Sequence, residues 1–140
     1  MTPIVVDASV AAKWFFPEEQ SKLAISLLDG KHHLLAPDLF HVEFGNIAWK
    51  YHRRELISAD EITEIIQQFM SLPVEIHPSE SFVSMAVELA MTTGRTVYDS
   101  LYLALAIQQD AVFVTADERF SNAIKAGPFA KHVRQLGQRK

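Results

Sequence analysis

The sequence predicts an α/β fold, a three-layer α/β/α sandwich with a small central parallel sheet. Short runs such as residues 4–6 and 111–114 are continuously apolar and rich in β-branched side chains, which is typical of strands buried on both faces. These runs alternate with longer segments whose apolar residues recur at helical spacing. No internal repeat or linker interrupts the alternation, so a single domain is expected over positions 1–140.

Composition narrows the classes of function. The chain has no cysteine, which excludes disulfides and thiolate metal sites and agrees with a cytoplasmic location. No apolar run reaches membrane-spanning length, and the N-terminus lacks the pattern of a signal peptide. The net charge of −4 argues against a protein that coats nucleic acid non-specifically. It does not argue against a nuclease, whose acidic site would recruit cations that then meet phosphate.

The first half of the chain is expected to contain two strands and four helices. Pro17 stops the first helix and opens the second, and Gly30 ends the second. Asp38 is the expected N-cap of the third helix, and Ser58 with Glu61 forms the capping-box pattern of the fourth. The expected strands are 4–6 and 33–36, and the expected helices are 8–16, 17–30, 39–54 and 59–72.

The second half continues the alternation. Gly94 is the expected end of a helix, and the next helix is apolar almost all round, which predicts a central position. The expected strands are 74–76, 111–115 and an edge strand at 132–134, and the expected helices are 79–93, 99–109 and 118–125. Residues 138–140 are expected to form a mobile tail.

Two clusters have two interpretations each. The aromatic run 14–16 belongs either to the core or to a surface for a partner. The basic run 50–54 either complements the dipole at the end of its helix or contacts a phosphate backbone. The sequence alone leaves both questions open.

Four carboxylates occupy unusual positions. Asp7 and Asp117 each follow an apolar strand, Glu43 interrupts the apolar stripe of the 39–54 helix, and Asp99 opens a helix expected to be buried. Each has a simpler explanation alone, as an N-cap, as a dipole partner or, for Glu43, as the partner of an arginine. Together they predict a cluster that repels itself and needs a hard cation. Oxygen ligands without thiolates indicate Mg²⁺ or Mn²⁺, and the matching chemistry is metal-assisted phosphoryl transfer.

At these residues the chain resembles a known family. The sequence is similar to PIN-domain ribonucleases and, within them, to VapC-type toxins of prokaryotic toxin–antitoxin pairs. Ser100 stands where the family often has alanine, a mild departure, and no family acid is missing. The matching segments occur in family order and are 5–9, 42–46, 98–106 and 114–120.

The resemblance implies that the four carboxylates line a Mg²⁺ or Mn²⁺ site that hydrolyses RNA. It implies that Asp117 lies farther from the metal than the other three acids. Ser9 and Thr115 would support the carboxylates or the metal-bound water, and Asn46 would assist. The resemblance also implies a homodimer, and a small antitoxin that docks near the site. The aromatic run 14–16 and the helices within 17–71 are the candidate antitoxin surface.

Other classes of protein fit less well. A phosphoaspartate phosphatase would need a second aspartate where Ser9 stands, and a receiver module would need a lysine near Thr115. A non-catalytic RNA- or protein-binding module has no use for four clustered carboxylates, which would repel the phosphates of RNA without serving a reaction. The six histidines include no pair at helical spacing i, i+4, so a zinc site is not expected.

Overall fold

The computed structural model describes residues 2–137, so the expected mobile tail at 138–140 lies outside the described residues. Within that range a single five-stranded sheet has the strand order β3-β2-β1-β4-β5, and every neighbouring pair is parallel. The fold class predicted from sequence is confirmed. The strands are β1 Thr2–Val6, β2 His32–Pro37, β3 Val74–His77, β4 Val112–Thr115 and β5 Val133–Gln135.

Helices cover both faces of the sheet. On one face α1 packs against α3 and α3 against α4, while on the other α5 packs against α6, which lies against β1, β2 and β4. None of the helices within residues 2–137 is long and apolar enough to cross a membrane. The helices are α1 Ala8–Phe15, α2 Ser21–Ile25, α3 Leu39–Arg53, α4 Ala59–Met70, α5 Val83–Thr93, α6 Val97–Gln108 and α7 Glu118–Lys125.

The core lies between the sheet and these helices. Residues 100–106 of α6 are buried in succession, which confirms the central position predicted for this helix. On the other face Phe44 of α3 and Phe69 of α4 stack with ring centroids 3.8 Å apart. Each large apolar side chain buried in this way contributes roughly 1.5–3 kcal/mol. Packed helices therefore cover the sheet on both faces.

The aromatic run 14–16 belongs to the core. Phe16 is buried and stacks on Tyr51 of α3 at 3.9 Å between ring centroids, and Phe15 packs edge-on against Phe44. The indole N–H of Trp14 donates to the carbonyl of Ala24 at 2.8 Å. These contacts hold α1, α2 and α3 together.

The second helix departs from its prediction. It begins at Ser21 rather than Pro17 and continues as a 3₁₀ turn to Leu28. Gln20 has a left-handed backbone with φ +66°, so the chain cannot be helical through that point. The Ser21 hydroxyl accepts from the Glu18 N–H at 2.9 Å, and the Glu18 carboxylate is the acceptor for the Tyr51 hydroxyl. The acid expected in a first helical turn is instead part of a polar loop.

Tertiary hydrogen bonds also explain a second difference. Asp38 stands at the N-cap position of α3 but makes no capping bond with its side chain. Its carboxylate instead accepts from the N–H of Ser79 at 3.2 Å and from the Ser79 hydroxyl. Residues 79–81 consequently form a 3₁₀ turn, and α5 begins at Val83 rather than at 79.

Two local predictions about helix ends are confirmed. Ser58 and Glu61 make both bonds of the capping box at the start of α4. Gly94 ends α5 in the left-handed conformation, with φ +74°. The following helix, α6, begins at Val97, two residues before the predicted start, because the Thr96 hydroxyl accepts from the Asp99 N–H at 3.1 Å.

Candidate active site

The strand order creates a crevice at the carboxyl ends of β1 and β4. The chain leaves β1 towards β2 on one side, whereas β4 lies on the other side, so these two central strands form a topological switch point. Val6 is in register with Val114, which brings the next residues of each strand, Asp7 and Thr115, to the same edge. In open α/β sheets this is the place where ligands bind.

Asp7 is both an N-cap and a member of this crevice. Its Oδ1 accepts from the N–H of Val10 at 2.9 Å, and its Oδ2 is 3.4 Å from the Thr115 hydroxyl. Burial raises the pKa of the Asp7 carboxyl to about 7, and repulsion from Glu43 and Asp99 adds to the effect. The two hydrogen bonds act in the opposite direction, since both favour the charged form. The folded protein therefore favours the protonated form of Asp7 unless a cation lies close to the carboxylate.

Thr115 connects Asp7 with Asp117. The Thr115 side chain is buried, and its hydroxyl donates to Asp7 while it accepts from the Asp117 N–H at 3.0 Å. Asp117 caps α7 by accepting from the Phe120 N–H at 3.0 Å. Its other oxygen is 3.7 Å from a guanidinium nitrogen of Arg95. Asp117 is therefore the one acid of the four whose charge is paired within the described chain.

Glu43 is paired with a tyrosine rather than with an arginine. The Tyr102 hydroxyl donates to Glu43, so it links α6 to α3. Burial raises the pKa of Glu43, the bond from Tyr102 lowers it and the nearby Asp99 raises it. The fully buried residues of α3 are Phe40, Phe44 and Ala48, while Leu39, Ile47 and Tyr51 of the predicted stripe are half-buried against the core. Glu43 stands beside that stripe and faces the crevice.

The crevice has two adjoining compartments. One, of about 230 Å³, is lined by Thr115 and Asp117, and the other, of about 250 Å³, by Glu43, Asn46, Lys50 and Tyr102. Asp7, Ser9 and Asp99 line both. The structure thus brings all six residues predicted for the site to one crevice. It does not bring all four acids together, because Glu43 and Asp117 lie in different compartments.

Two side chains near the crevice, Tyr102 and Arg95, have no role in the prediction from sequence. Tyr102 carried a signal, since a buried tyrosine in an otherwise aliphatic helix needs a partner for its hydroxyl. Lys50 belongs to the basic run 50–54, for which the sequence leaves a phosphate contact open, and the structure places it at the crevice. Arg95 lies in a short link between helices and follows no pattern that sequence reasoning could use.

The carboxylates do not form a closed metal cluster. In the part of the chain that the structure describes, no three His, Cys, Asp or Glu side chains are grouped so that they could hold a metal ion. A cavity of about 600 Å³ lies elsewhere, at the turn between α3 and α4, and is lined by residues such as His52 and Leu56. The carboxylate crevice is the candidate chemical site because it gathers half-buried acids that repel one another.

A parallel sheet with acids gathered at its switch point defines an α/β domain with an acidic cleft. The family model described as PIN domain matches residues 4–125, and the chain belongs to this family. The similarity extends to Ribonuclease VapC3 of Pyrobaculum aerophilum, at 31% identity over 125 residues that cover 88% of this chain and 95% of that protein. The resemblance to VapC-type members is therefore confirmed, and the phosphoaspartate classes are wrong for this chain.

Solved structures agree on the fold. The crystal structure of PAE2754 from Pyrobaculum aerophilum has a TM-score of 0.71 at 20% identity, covering 96% of this chain and 84% of that one. A toxin–antitoxin complex from Klebsiella pneumoniae has a TM-score of 0.67 at 14% identity, covering 97% and 99%. At these identities the likeness shows the architecture alone.

Proposed function

We propose that this protein is a divalent-metal-dependent endoribonuclease, a single PIN-like domain that serves as the toxin of a toxin–antitoxin pair. The observation that carries the proposal is the gathering of Asp7, Asp99 and Glu43 at the switch-point crevice of a PIN domain. The similarity to a protein named Ribonuclease VapC3 supports RNA as the substrate. The fold likeness to a toxin–antitoxin complex agrees with the toxin role.

The donor set fits Mg²⁺ or Mn²⁺. Burial and mutual repulsion raise the pKa of Asp7 and of Glu43, so a cation in the crevice would relieve both. Mg²⁺ commonly takes one or two protein carboxylates and keeps several waters, so it does not require a group of three acids formed in advance. Asp7 and Asp99 line both compartments and would hold the ion, with Glu43 beside them. Asp117, paired with Arg95, would contribute more weakly.

When bound, the ion would activate the attacking water and neutralise charge on the phosphoryl group. The protein's part is to keep the carboxylates in place. The N–H of Val10 donates to one oxygen of Asp7. The other oxygen accepts from the Thr115 hydroxyl and faces the crevice. Tyr102 fixes Glu43 in the same way. Ser9 lines both compartments and supplies a hydroxyl that can donate to the water or to a phosphate oxygen.

The partners follow from the same assignment. A cognate antitoxin would hold the enzyme inactive and would dock on the helices within residues 17–71, which border the crevice through α3. The Trp14–Phe16 run is largely used by the core, so it offers this partner only its edges. A homodimer and a cytoplasmic location complete the proposal, and both agree with an RNA-cleaving toxin.

The direct test is RNA cleavage by Asp7→Asn and Asp99→Asn. Both variants should lose about 100-fold or more of the Mg²⁺- or Mn²⁺-dependent rate on labelled RNA, which is the scale of removing one electrostatic group from a site. Asparagine can still cap α1 at position 7, so the fold is retained. Wild type with EDTA should be equally inactive.

Asp110→Asn is the matched control, because Asp110 is an exposed residue before β4, at the opposite edge of the sheet. It should cleave RNA like the wild type. Undiminished cleavage in both crevice variants would contradict the proposal.

A further inference from the structure

One face of α3 changes the sign of its charge along its length. Glu43, Asn46 and Lys50 line the crevice, and Arg53 and Arg54 follow one turn later. The spacings of three, four and three or four residues keep these side chains on one side of a helix. From Glu43 to Arg54 the helical rise amounts to about 16 Å. The helix thus leads from the carboxylates to a group of three cations.

Lys50 connects the two regions. It lines the acidic compartment, and together with Arg53 and Arg54 it also lines a separate open cavity of about 400 Å³. That cavity has no carboxylate among its lining residues. An anion could therefore extend from the acidic crevice into a purely basic cavity by passing Lys50.

The three cations are not committed to ion pairs. The salt bridges among the described residues involve other cations, such as Lys13 with Glu18 and Arg95 with Asp117. Arg53 is held over the ring of Trp49, with its guanidinium carbon 5.4 Å from the ring centroid. This cation–π contact positions the guanidinium and leaves its hydrogen-bond donors available.

The helix dipole does not account for the whole group. Cations at a helix C-terminus are favourable, and α7 ends in the same way with Lys125. The dipole effect is local and does not explain why three unpaired cations surround one cavity beside an acidic crevice. A phosphodiester strand does explain it, because the acids repel the phosphates that flank the one being cut, and those phosphates need cations nearby.

We infer that Lys50, Arg53 and Arg54 form a phosphate track that binds the RNA strand on one side of the cleavage site. This inference rests on the proposed ribonuclease function and adds the path of the substrate. Arginine forks suit phosphate oxygens, and the track would contribute affinity that is independent of base sequence. Continuity with the crevice favours RNA over an acidic protein segment, since only the substrate must occupy the crevice and the cavity together.

The test measures binding rather than cleavage. Fluorescence anisotropy of a labelled single-stranded oligoribonucleotide, in EDTA and over a series of salt concentrations, gives the slope of log K against log salt. Each lost phosphate contact on a single strand should lower the magnitude of that slope by about 0.7. Lys50→Gln should therefore lower it by about 0.7, and Arg53→Gln/Arg54→Gln by about 1.4. Lys50→Arg should keep the wild-type slope.

Lys125→Gln is the matched control, because it also removes a cation from the last turn of a helix. It should leave the slope unchanged, and circular dichroism should show that every variant is folded. Equal slopes in the wild type and the track variants, equal losses in Lys125→Gln, or no RNA binding by the wild type would overturn the inference. An oligoglutamate probe that loses binding in the variants as strongly as RNA would overturn it too, in favour of a protein ligand.

The two proposals can fail separately. Metal-dependent cleavage that is lost in Asp7→Asn, with no change of slope in the track variants, would leave the ribonuclease and remove the track. A reduced slope in the track variants, with cleavage undiminished in Asp7→Asn, would keep the track as an RNA-binding surface and contradict the proposed metal-dependent active site.

Discussion

At the residue scale, the acids are held by neighbours that sequence patterns do not relate to them. Asp7 serves as a helix cap with one oxygen and faces the crevice with the other, so the two interpretations of this residue are compatible. Glu43 depends on Tyr102, which lies 59 positions away along the chain. Asp117 depends on Arg95, whose Nε is buried without a hydrogen-bond partner. The surroundings of each carboxylate therefore decide how available its charge is.

Tyr102→Phe tests the support of Glu43. The substitution removes the hydroxyl that donates to Glu43 and leaves that carboxylate without this partner. We expect about 1–3 kcal/mol less stability and about 10- to 100-fold weaker Mn²⁺ binding or cleavage. Urea unfolding and titration calorimetry with Mn²⁺ measure the two effects. Tyr98→Phe, at an exposed position of the same helix, is the control, and wild-type metal affinity in Tyr102→Phe would refute the role.

At the scale of elements, α3 carries residues of the proposed site, whereas α4 supports α3 by packing against it. α3 carries Glu43 and the cations of the proposed track, and α4 packs against it through Phe69. The capping box at Ser58 and Glu61 sets the start of α4. The pKa of Glu61 is lowered, chiefly because its carboxylate accepts from the backbone N–H of Ser58. Changes at the start of α4 are therefore expected to alter the free energy of unfolding but not the rate of RNA cleavage.

Ser58→Ala tests that separation. Loss of the N-cap should reduce the free energy of unfolding by about 1 kcal/mol, because one of the first N–H groups of α4 loses its acceptor. The RNA cleavage rate should stay at the wild-type value, since Ser58 lines neither compartment of the crevice. Ser84→Ala, an exposed substitution inside α5, is the control for the loss of a hydroxyl. A large fall in cleavage by folded Ser58→Ala would contradict this division of roles.

At the scale of the whole molecule, the sheet places its acids at a cost in stability. Unfolding returns Asp7 to an ordinary carboxyl, with a pKa near 3.9, from a folded value of about 7. Between these values the unfolded chain binds fewer protons than the folded one. The free energy of unfolding contributed by Asp7 therefore falls as the pH rises from about 4 to about 7 and is constant above that. Glu43 shifts in the same direction.

Asp7→Asn should remove most of this pH dependence in the metal-free protein. In EDTA at pH 8 the variant is expected to be more stable than the wild type by about 3–4 kcal/mol, relative to their difference at pH 4. Urea unfolding at several pH values measures the effect. Mg²⁺ or Mn²⁺ at pH 8 should stabilise the wild type and have little effect on the variant, because the ion binds the folded state. Identical pH profiles for the two proteins would refute the assignment.

Much of the architecture was predictable from local patterns. Apolar runs identified the strands, and the Gly94 stop and the Ser58–Glu61 capping box were assigned from residue type and spacing alone. The errors fell at the starts of α2 and α5. There, Glu18 and Asp38 bond to distant residues, so local helix signals were overridden by tertiary partners. The apolar face of α3 is wider than the predicted stripe, because Phe44 and Ala48 are fully buried beside the half-buried Ile47 and Tyr51.

The sequence by itself determined which carboxylates follow buried strands or interrupt apolar faces, because buried elements require apolar residues at regular spacings and a charged residue breaks that pattern. Only the tertiary structure decided which of them meet. The order β3-β2-β1-β4-β5 sets Asp7 beside Thr115, and the packing of α6 brings Tyr102 to Glu43. Arg95 reaches Asp117, and Lys50 joins two cavities, through contacts that no spacing along the chain encodes. Such pairings depend on strand order and helix packing, which are properties of the whole chain.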